Sequence, residues 1–200
     1  FFGAKEDRMI EKYYNGVIEQ VAGGIGNVEH NSILVRYSND FSIWDLESVN
    51  HYKDQTDIFF TCHEFSYNKI AEAYEPYLGL IRQMFHKYCS GTLEEFMEEC
   101  DVYKLQRPVF ESYFEKGFCE RTEQILIDEV EYEQERMHSS IVTMLQKLSE
   151  ICPIVIVLNR FQLASKSTMQ LTNRLLQTKN KNIGIVLGVT IIDRKSGSAG

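Results

Sequence analysis

Several features that the sequence lacks exclude whole classes of protein. A run of about 18 apolar residues, the length that a membrane-spanning helix needs, does not occur in the 200 residues. Positive charge is in deficit, because 21 Lys and Arg stand against 29 Asp and Glu and leave a net charge of -8. A protein that binds nucleic acid through its phosphates needs a basic face. We therefore expect partners that are neither a membrane nor a nucleic acid.

The sequence also lacks pairs of cysteines at the spacing that binds a metal ion. The 5 cysteines include no C-x-x-C pair, and their odd count argues against a disulfide framework in a chain of this size. The chain is charged from its fifth residue onwards, which is not the pattern of a secretory signal peptide. Reduced thiols in a cytoplasmic protein are therefore predicted for Cys62, Cys89, Cys100, Cys119 and Cys152.

Four short apolar segments predict β-strands, at residues 32–37, 57–62, 154–158 and 183–187. The segment 154–158 is apolar throughout, which is typical of a strand buried on both faces in a parallel sheet. Between the strands, apolar residues recur at helical spacing. Helices are predicted over about 5–22, 43–52, 120–149 and 166–178, and the whole stretch from about 66 to 150 is helical in character.

Local signals within the helical stretch support this interpretation. An apolar stripe runs from Ile70 through Tyr74 to Tyr88. Thr92 and Glu95 are spaced as a capping box, and Pro108 suits the first turn of a helix. The alternation of strands and helices favours an α/β fold with a mostly parallel sheet of about four strands. We expect one domain over residues 1–193 with a large helical insertion at about 66–150, followed by a linker or tail at 194–200.

Several landmarks occur in order along this pattern. Phe2-Gly3-Ala4-Lys5-Glu6 stands near the start, and Ile33–Val35 lies in the first predicted strand. Ile154–Leu158 is followed directly by Asn159-Arg160-Phe161-Gln162-Leu163-Ala164, and Ile183–Leu187 comes last. Together they resemble P-loop ATPase domains of the AAA or STAND type. Those domains open on F-x-G-R-x-x-E, here with Ala4 for arginine, and carry D-D-x-Q-W-A after the Walker B strand.

The helical block adds to the resemblance. Glu72–Leu78 and Arg107–Phe110 are similar to segments of ATPase-like modules at the N-terminus of large bacterial signalling proteins. Some of those proteins also carry helical repeats and a GGDEF diguanylate cyclase domain. The resemblance implies a P-loop NTPase-like fold in which the last of the four strands lies between the first and the third.

The residues at the implied nucleotide site depart from the family pattern. A working phosphate loop reads G-x-x-x-x-G-K-[ST], with glycines that admit the phosphates, a lysine that contacts them and a hydroxyl that holds Mg²⁺. Gly-Lys does not occur in this chain. Aligned on the first strand, Tyr37 and Ser42 replace the two glycines, Ile43 the lysine and Trp44 the hydroxyl. The degenerate nucleotide site would comprise Tyr37, Ser38, Asn39, Asp40, Ser42, Ile43, Trp44 and Asn159.

Two further charges are altered at this site. Asp40 would bring negative charge to the phosphates, and Asn159 replaces the aspartate that holds Mg²⁺ in the Walker B strand. Phosphoryl transfer depends on electrostatic stabilisation that these changes remove. The resemblance therefore implies no catalytic residue, metal or cofactor, and a regulatory or interaction domain of a larger bacterial signalling protein. Its partners would be other domains of its own full-length chain or a second copy, and any diguanylate cyclase would lie beyond residue 200.

Other interpretations stay open. A divergent ATPase or a nucleotide sensor would bind ATP, with Mg²⁺, through atypical residues. Trp44 could fill the space that a nucleotide occupies in active relatives. Cys62-His63-Glu64 ends a predicted strand, where a Cys–His nucleophile pair is conceivable, but neighbouring strand residues point to opposite faces. Glu64 could position a water molecule, as polar residues near this strand end do in the resembling ATPases.

Overall fold

The computed structural model describes residues 3–27, 31–38, 41–55, 57–116 and 130–191. The strands are β1 (Ser32–Tyr37), β2 (Phe59–Glu64), β3 (Ile154–Asn159) and β4 (Ile183–Thr190). The α-helices are α1 (Gly3–Gly23), α2 (Glu47–Lys53), α3 (Tyr77–Tyr88), α4 (Leu93–Glu99), α5 (Arg107–Lys116), α6 (Val130–Ile151) and α7 (Lys166–Thr178). A 3₁₀ turn at Ile43–Asp45 precedes α2.

The four strands form one parallel sheet in the order β1-β4-β3-β2. This confirms the predicted α/β class, the parallel sheet and the position of the last strand between the first and the third. It is an arrangement compatible with Rossmann-like and P-loop-like folds. Every residue of β3 is buried, as its uninterrupted apolar sequence predicts.

Two predicted boundaries need correction, and two further predicted segments are not tested. The second strand spans Phe59–Glu64 rather than 57–62, because pairing with β3 carries it as far as the Glu64–Asn159 pair. The predicted helix over 43–52 is divided at Leu46, whose extended backbone ends the 3₁₀ turn before α2 begins. The long helix is described from Val130, so the part predicted at 120–129 lies outside the described residues, as does the tail at 194–200.

One compact unit comprises residues 1–72, 153–164 and 181–200, and it contains the whole sheet. The apolar side of α1, with Tyr14, Ile18 and Val21, packs with the sheet residues Val35 and Val157 in one core. Glycine at position 184 allows this contact, because a Cβ there would lie 2.6 Å from Cγ1 of Val21. The sheet face that carries the last side chain of β1 is thus covered by α1.

The other unit comprises residues 73–152 and 165–180. Within it, Tyr77 and Thr172 share a buried hydrogen bond of 2.5 Å between α3 and α7. The predicted capping box forms between Thr92 and Glu95. The apolar stripe begins later than predicted, at Tyr77, since Ile70 lies outside the helix with 92% of its surface exposed. Tyr74 also precedes α3, with a left-handed φ of 62°.

A histidine is buried in this second unit. His138 on α6 is buried, and its Nε2 has no hydrogen-bond partner among the described residues. Burial and the nearby charge of Arg174 lower the pKa of His138, against a smaller opposing effect of Glu135. Tyr74 contacts the ring edge-on. As the pH falls, His138 is therefore protonated in the unfolded chain before it is protonated in the folded protein.

We predict that this unit loses stability as the pH falls through about 6.5, the ordinary pKa of histidine. The stability that depends on neutral His138 is fully present above that pH and is lost below it, as the folded protein's own lower pKa is approached. His138→Gln removes the titrating group, so urea denaturation from pH 8 to pH 5 should show a shallower loss of stability than in the wild type. His86→Gln, at an exposed position on α3, is the matched control for the effect of the substitution itself. An equal slope in the His138→Gln protein would contradict the prediction.

Candidate functional site

The last residues of the four strands meet at one edge of the sheet, which we call the carboxyl edge. Across the sheet they are Tyr37 of β1, Thr190 of β4, Asn159 of β3 and Glu64 of β2. Tyr37 pairs in register with Thr190, and Asn159 with Glu64. All four are polar, although the strands behind them are mainly apolar. Parallel α/β sheets bind ligands at this edge, so we take it as the candidate site.

A hydrogen bond connects two of the predicted site residues across this edge. The hydroxyl of Tyr37 donates to Oδ1 of Asn159, so the bond bridges β1 and β3 over the intervening β4. The Asn159 amide also donates from Nδ2 to the carbonyl oxygen of Phe41, at 3.3 Å. Asn159 is 0% exposed. Both ends of its amide therefore have partners inside the protein.

Three aromatic rings pack around this bond, and we call Tyr14, Tyr37 and Phe41 the aromatic cluster. Tyr37 lies 4.9 Å from Phe41 between ring centroids, and Tyr14 approaches Phe41 edge-on at 5.5 Å. Tyr14 also meets Tyr37 edge-on at 6.2 Å. Gly188 of β4 leaves room for the cluster, because a Cβ there would lie 2.5 Å from Oη of Tyr14 and 2.6 Å from Oδ1 of Asn159.

Two hydroxyls near the edge are buried without partners. Neither Oη of Tyr14 nor Oγ1 of Thr190 has a hydrogen-bond partner among the described residues. Burial is the main cause that raises the pKa of Tyr14 well above its ordinary value, and nearby Tyr37, Cys62 and Glu64 add to it. Tyr14 is therefore a neutral hydrogen-bond donor throughout the physiological pH range.

An ion pair lies at the β2 side of the same edge. Nη1 of Arg160 lies 3.1 Å from Oε1 of Glu64, and the two side chains are only 18% and 10% exposed. The hydroxyl of Ser42 donates to the other carboxylate oxygen at 3.1 Å. Arg160 adopts a left-handed backbone with φ 54°, and its guanidinium lies 5.6 Å from the ring centroid of Tyr67. The charge of Glu64 is thus compensated within the protein.

The structure brings three of the predicted site residues together at the carboxyl edge, namely Tyr37, Ser42 and Asn159. Ser38 is exposed just beyond β1, and Asn39 and Asp40 lie outside the described residues. Ile43, which the sequence alignment placed opposite the phosphate-binding lysine, is 0% exposed and belongs to the core.

The hypothesis that Trp44 fills the nucleotide position is wrong. Its side chain is 51% exposed, because the 3₁₀ turn directs Ile43 inward and its neighbour outward. Ser42 caps that turn by accepting a hydrogen bond from the backbone nitrogen of Trp44, at 3.4 Å. The aromatic cluster, rather than Trp44, surrounds the bond between β1 and β3.

Sequence reasoning missed three residues of this edge. Tyr14 looked like one member of an apolar helical stripe, Gly188 follows the predicted end of the last strand, and Thr190 carries no motif. An available signal was the presence of two glycines, Gly184 and Gly188, in a strand otherwise made of branched side chains. Such glycines often mark a close approach of other atoms.

A raised pKa argues against a nucleophilic role for Cys62. Burial, with a smaller effect of Glu64, raises the pKa of the Cys62 thiol to about 12. We predict that alkylation of Cys62 by iodoacetamide at pH 8 is on the order of 100-fold slower in the folded protein than in urea. His63→Ala should leave that rate unchanged. Peptide mass spectrometry measures both, and fast labelling that requires His63 would restore the Cys–His hypothesis.

Two kinds of feature are absent from the described residues. In that part of the chain, no helix is both long and apolar enough to cross a membrane. The same residues contain no group of three or more His, Cys, Asp or Glu side chains arranged to hold a metal ion. Comparison of the chain with known protein families, with curated proteins and with solved structures finds no match.

Proposed function

We propose that this chain is a degenerate P-loop ATPase-like domain that acts without catalysis, as a regulatory or interaction module. The observation that carries the proposal is the hydrogen bond from Tyr37 to Asn159. Under the alignment with P-loop ATPases, these two residues occupy the start of the phosphate loop and the Walker B acid. The side chain of Tyr37 thus engages the amide oxygen of Asn159, which is the atom that would have to face Mg²⁺ at this position.

The chemistry of the neighbouring residues supports the same proposal. The position of the phosphate-binding lysine holds Ile43, which is buried in the core. The carboxylate of Glu64, at the end of β2, is held by Arg160 and Ser42. A site for Mg²⁺-nucleotide needs free carboxylate and ammonium groups around the phosphates. This arrangement supports a structural use of the edge.

The module would belong to a larger bacterial signalling protein in the cytoplasm. Its partners would be other domains of the same full-length chain or a second copy of itself. The signal would pass through packing contacts, and any catalytic step would occur in another domain.

Nucleotide titration followed by melting temperature tests this proposal. A ligand at 100 times its Kd stabilises a protein by about 2.7 kcal/mol, which shifts the melting temperature by several degrees. We expect no shift with ATP, ADP or GTP up to millimolar concentration, with or without Mg²⁺. Tripolyphosphate at equal ionic strength controls for general anion effects. A Mg²⁺-dependent shift specific to a nucleotide would replace the proposal with the divergent ATPase or nucleotide sensor.

A further inference from the structure

The starting observation is the hydroxyl of Tyr14. The residue is 0% exposed, and its Oη has no hydrogen-bond partner among the described residues. A buried hydroxyl without a partner destabilises the folded state, and native proteins hold few of them. Phenylalanine at position 14 would keep the ring in the core without burying a hydroxyl that has no partner. An alternative partner for the hydroxyl would explain why tyrosine is present.

An acceptor lies close by. Oη of Tyr14 and Oδ1 of Asn159 both lie within 2.6 Å of one point, the position that a Cβ on residue 188 would take. That amide oxygen already accepts from Tyr37. A carbonyl oxygen has two lone pairs, so it can accept from either tyrosine. Tyr14 and Tyr37 also touch each other edge-on, with 6.2 Å between their centroids.

We propose that Tyr14 is the reserve donor for Asn159, which takes over the amide oxygen when Tyr37 leaves it. The carboxyl edge then has two arrangements. In the one described above, Tyr37 of β1 holds Asn159, and in the other Tyr14 of α1 holds it. The buried amide of Asn159 keeps a partner in both, so the release of Tyr37 does not leave it unpaired.

This exchange gives the proposed interaction module a means of regulation, and that part rests on the proposed function. A partner that binds at the end of β1, where Ser38 is exposed, would draw Tyr37 away from the edge. The reserve donor lowers the cost of that movement, because one hydrogen bond replaces another. The sheet edge would thus switch between two defined states.

A double-mutant cycle tests the exchange. The four proteins are the wild type, Tyr14→Phe, Tyr37→Phe and the double variant, compared by melting temperature. Tyr14→Phe alone should raise the melting temperature by about 2 °C or more, because it removes an unpartnered buried hydroxyl. Tyr37→Phe should lower it only slightly, since Tyr14 takes over. In the Tyr14→Phe background, Tyr37→Phe should lower the melting temperature by at least about twice as much as it does in the wild type.

Tyr13→Phe is the matched control, because Tyr13 is 65% exposed on the same helix. This substitution should change neither the melting temperature nor the loss caused by Tyr37→Phe. Equal losses for Tyr37→Phe in both backgrounds would overturn the proposal. A crystal structure of the Tyr37→Phe protein gives an independent answer. It should place Oη of Tyr14 within hydrogen-bond distance of Oδ1 of Asn159, and an unchanged, unpartnered Tyr14 would also overturn the exchange. The nucleotide titration is unaffected by either result, so the two proposals fail separately.

Discussion

Gly188→Ala should destabilise the protein by about 2 kcal/mol, an effect typical of overpacking in a core. The added methyl would lie 2.5 Å from Oη of Tyr14 and 2.6 Å from Oδ1 of Asn159. Neither neighbour can move freely. Tyr14 is fully buried in the core of the first unit, and Asn159 is held at both ends of its amide. Urea denaturation measures the loss as a lower midpoint.

Gly16→Ala provides the matched control for this substitution. Gly16 lies within α1, and a Cβ there would meet no atom within 4 Å. Alanine is favoured over glycine in a helix by about 0.5–1 kcal/mol, so the control should raise the midpoint. If Gly188→Ala were as stable as the wild type, the close approach of Tyr14 and Asn159 over β4 would be disproved.

Asn159→Asp should destabilise the protein by about 3 kcal/mol at pH 8, although it introduces the acid that the resemblance to P-loop ATPases would place there. The new carboxyl would be buried, and its β2 partner in register is Glu64, another carboxylate. It could no longer donate to the carbonyl of Phe41, as the Nδ2 group does. Introducing that acid should therefore weaken the fold and create no Mg²⁺ site.

The stability of the Asn159→Asp protein should also depend on pH, and in a characteristic direction. Burial and the neighbouring carboxylate raise the pKa of a carboxyl at position 159 above its unfolded value of about 3.9. The folded variant then binds more protons than the unfolded chain, so its stability falls as the pH rises from about 4. Asn50→Asp, at an exposed position on α2, should stay within about 0.5 kcal/mol of the wild type. A stable Asn159→Asp protein that gains affinity for Mg²⁺ would contradict the account.

Much of the fold was predictable, because local patterns determine it. The uninterrupted apolar run at 154–158 indicated a strand buried on both faces, and Thr92 with Glu95 marked a helix start. Less local features were missed. The second strand extends to Glu64 because its neighbour β3 continues to Asn159, and no pattern within 57–64 reveals that pairing.

The site was less predictable, because its contacts join distant parts of the chain. Tyr37 and Asn159 were singled out by alignment, but their mutual bond depends on the strand order. Ile43 and Trp44 were both assigned to the nucleotide position, and the 3₁₀ turn separates them into core and surface. Tyr14 joins the edge only because α1 packs on that face of the sheet, which helical periodicity alone cannot reveal.

A structure from crystals grown with millimolar ATP and Mg²⁺ would show whether the carboxyl edge binds a nucleotide. We expect Tyr37 to donate its hydrogen bond to Asn159, Arg160 to pair with Glu64, and no nucleotide to occupy the carboxyl edge. A nucleotide bound at the end of β1, with Tyr37 displaced from Asn159 and Mg²⁺ held nearby, would contradict this expectation.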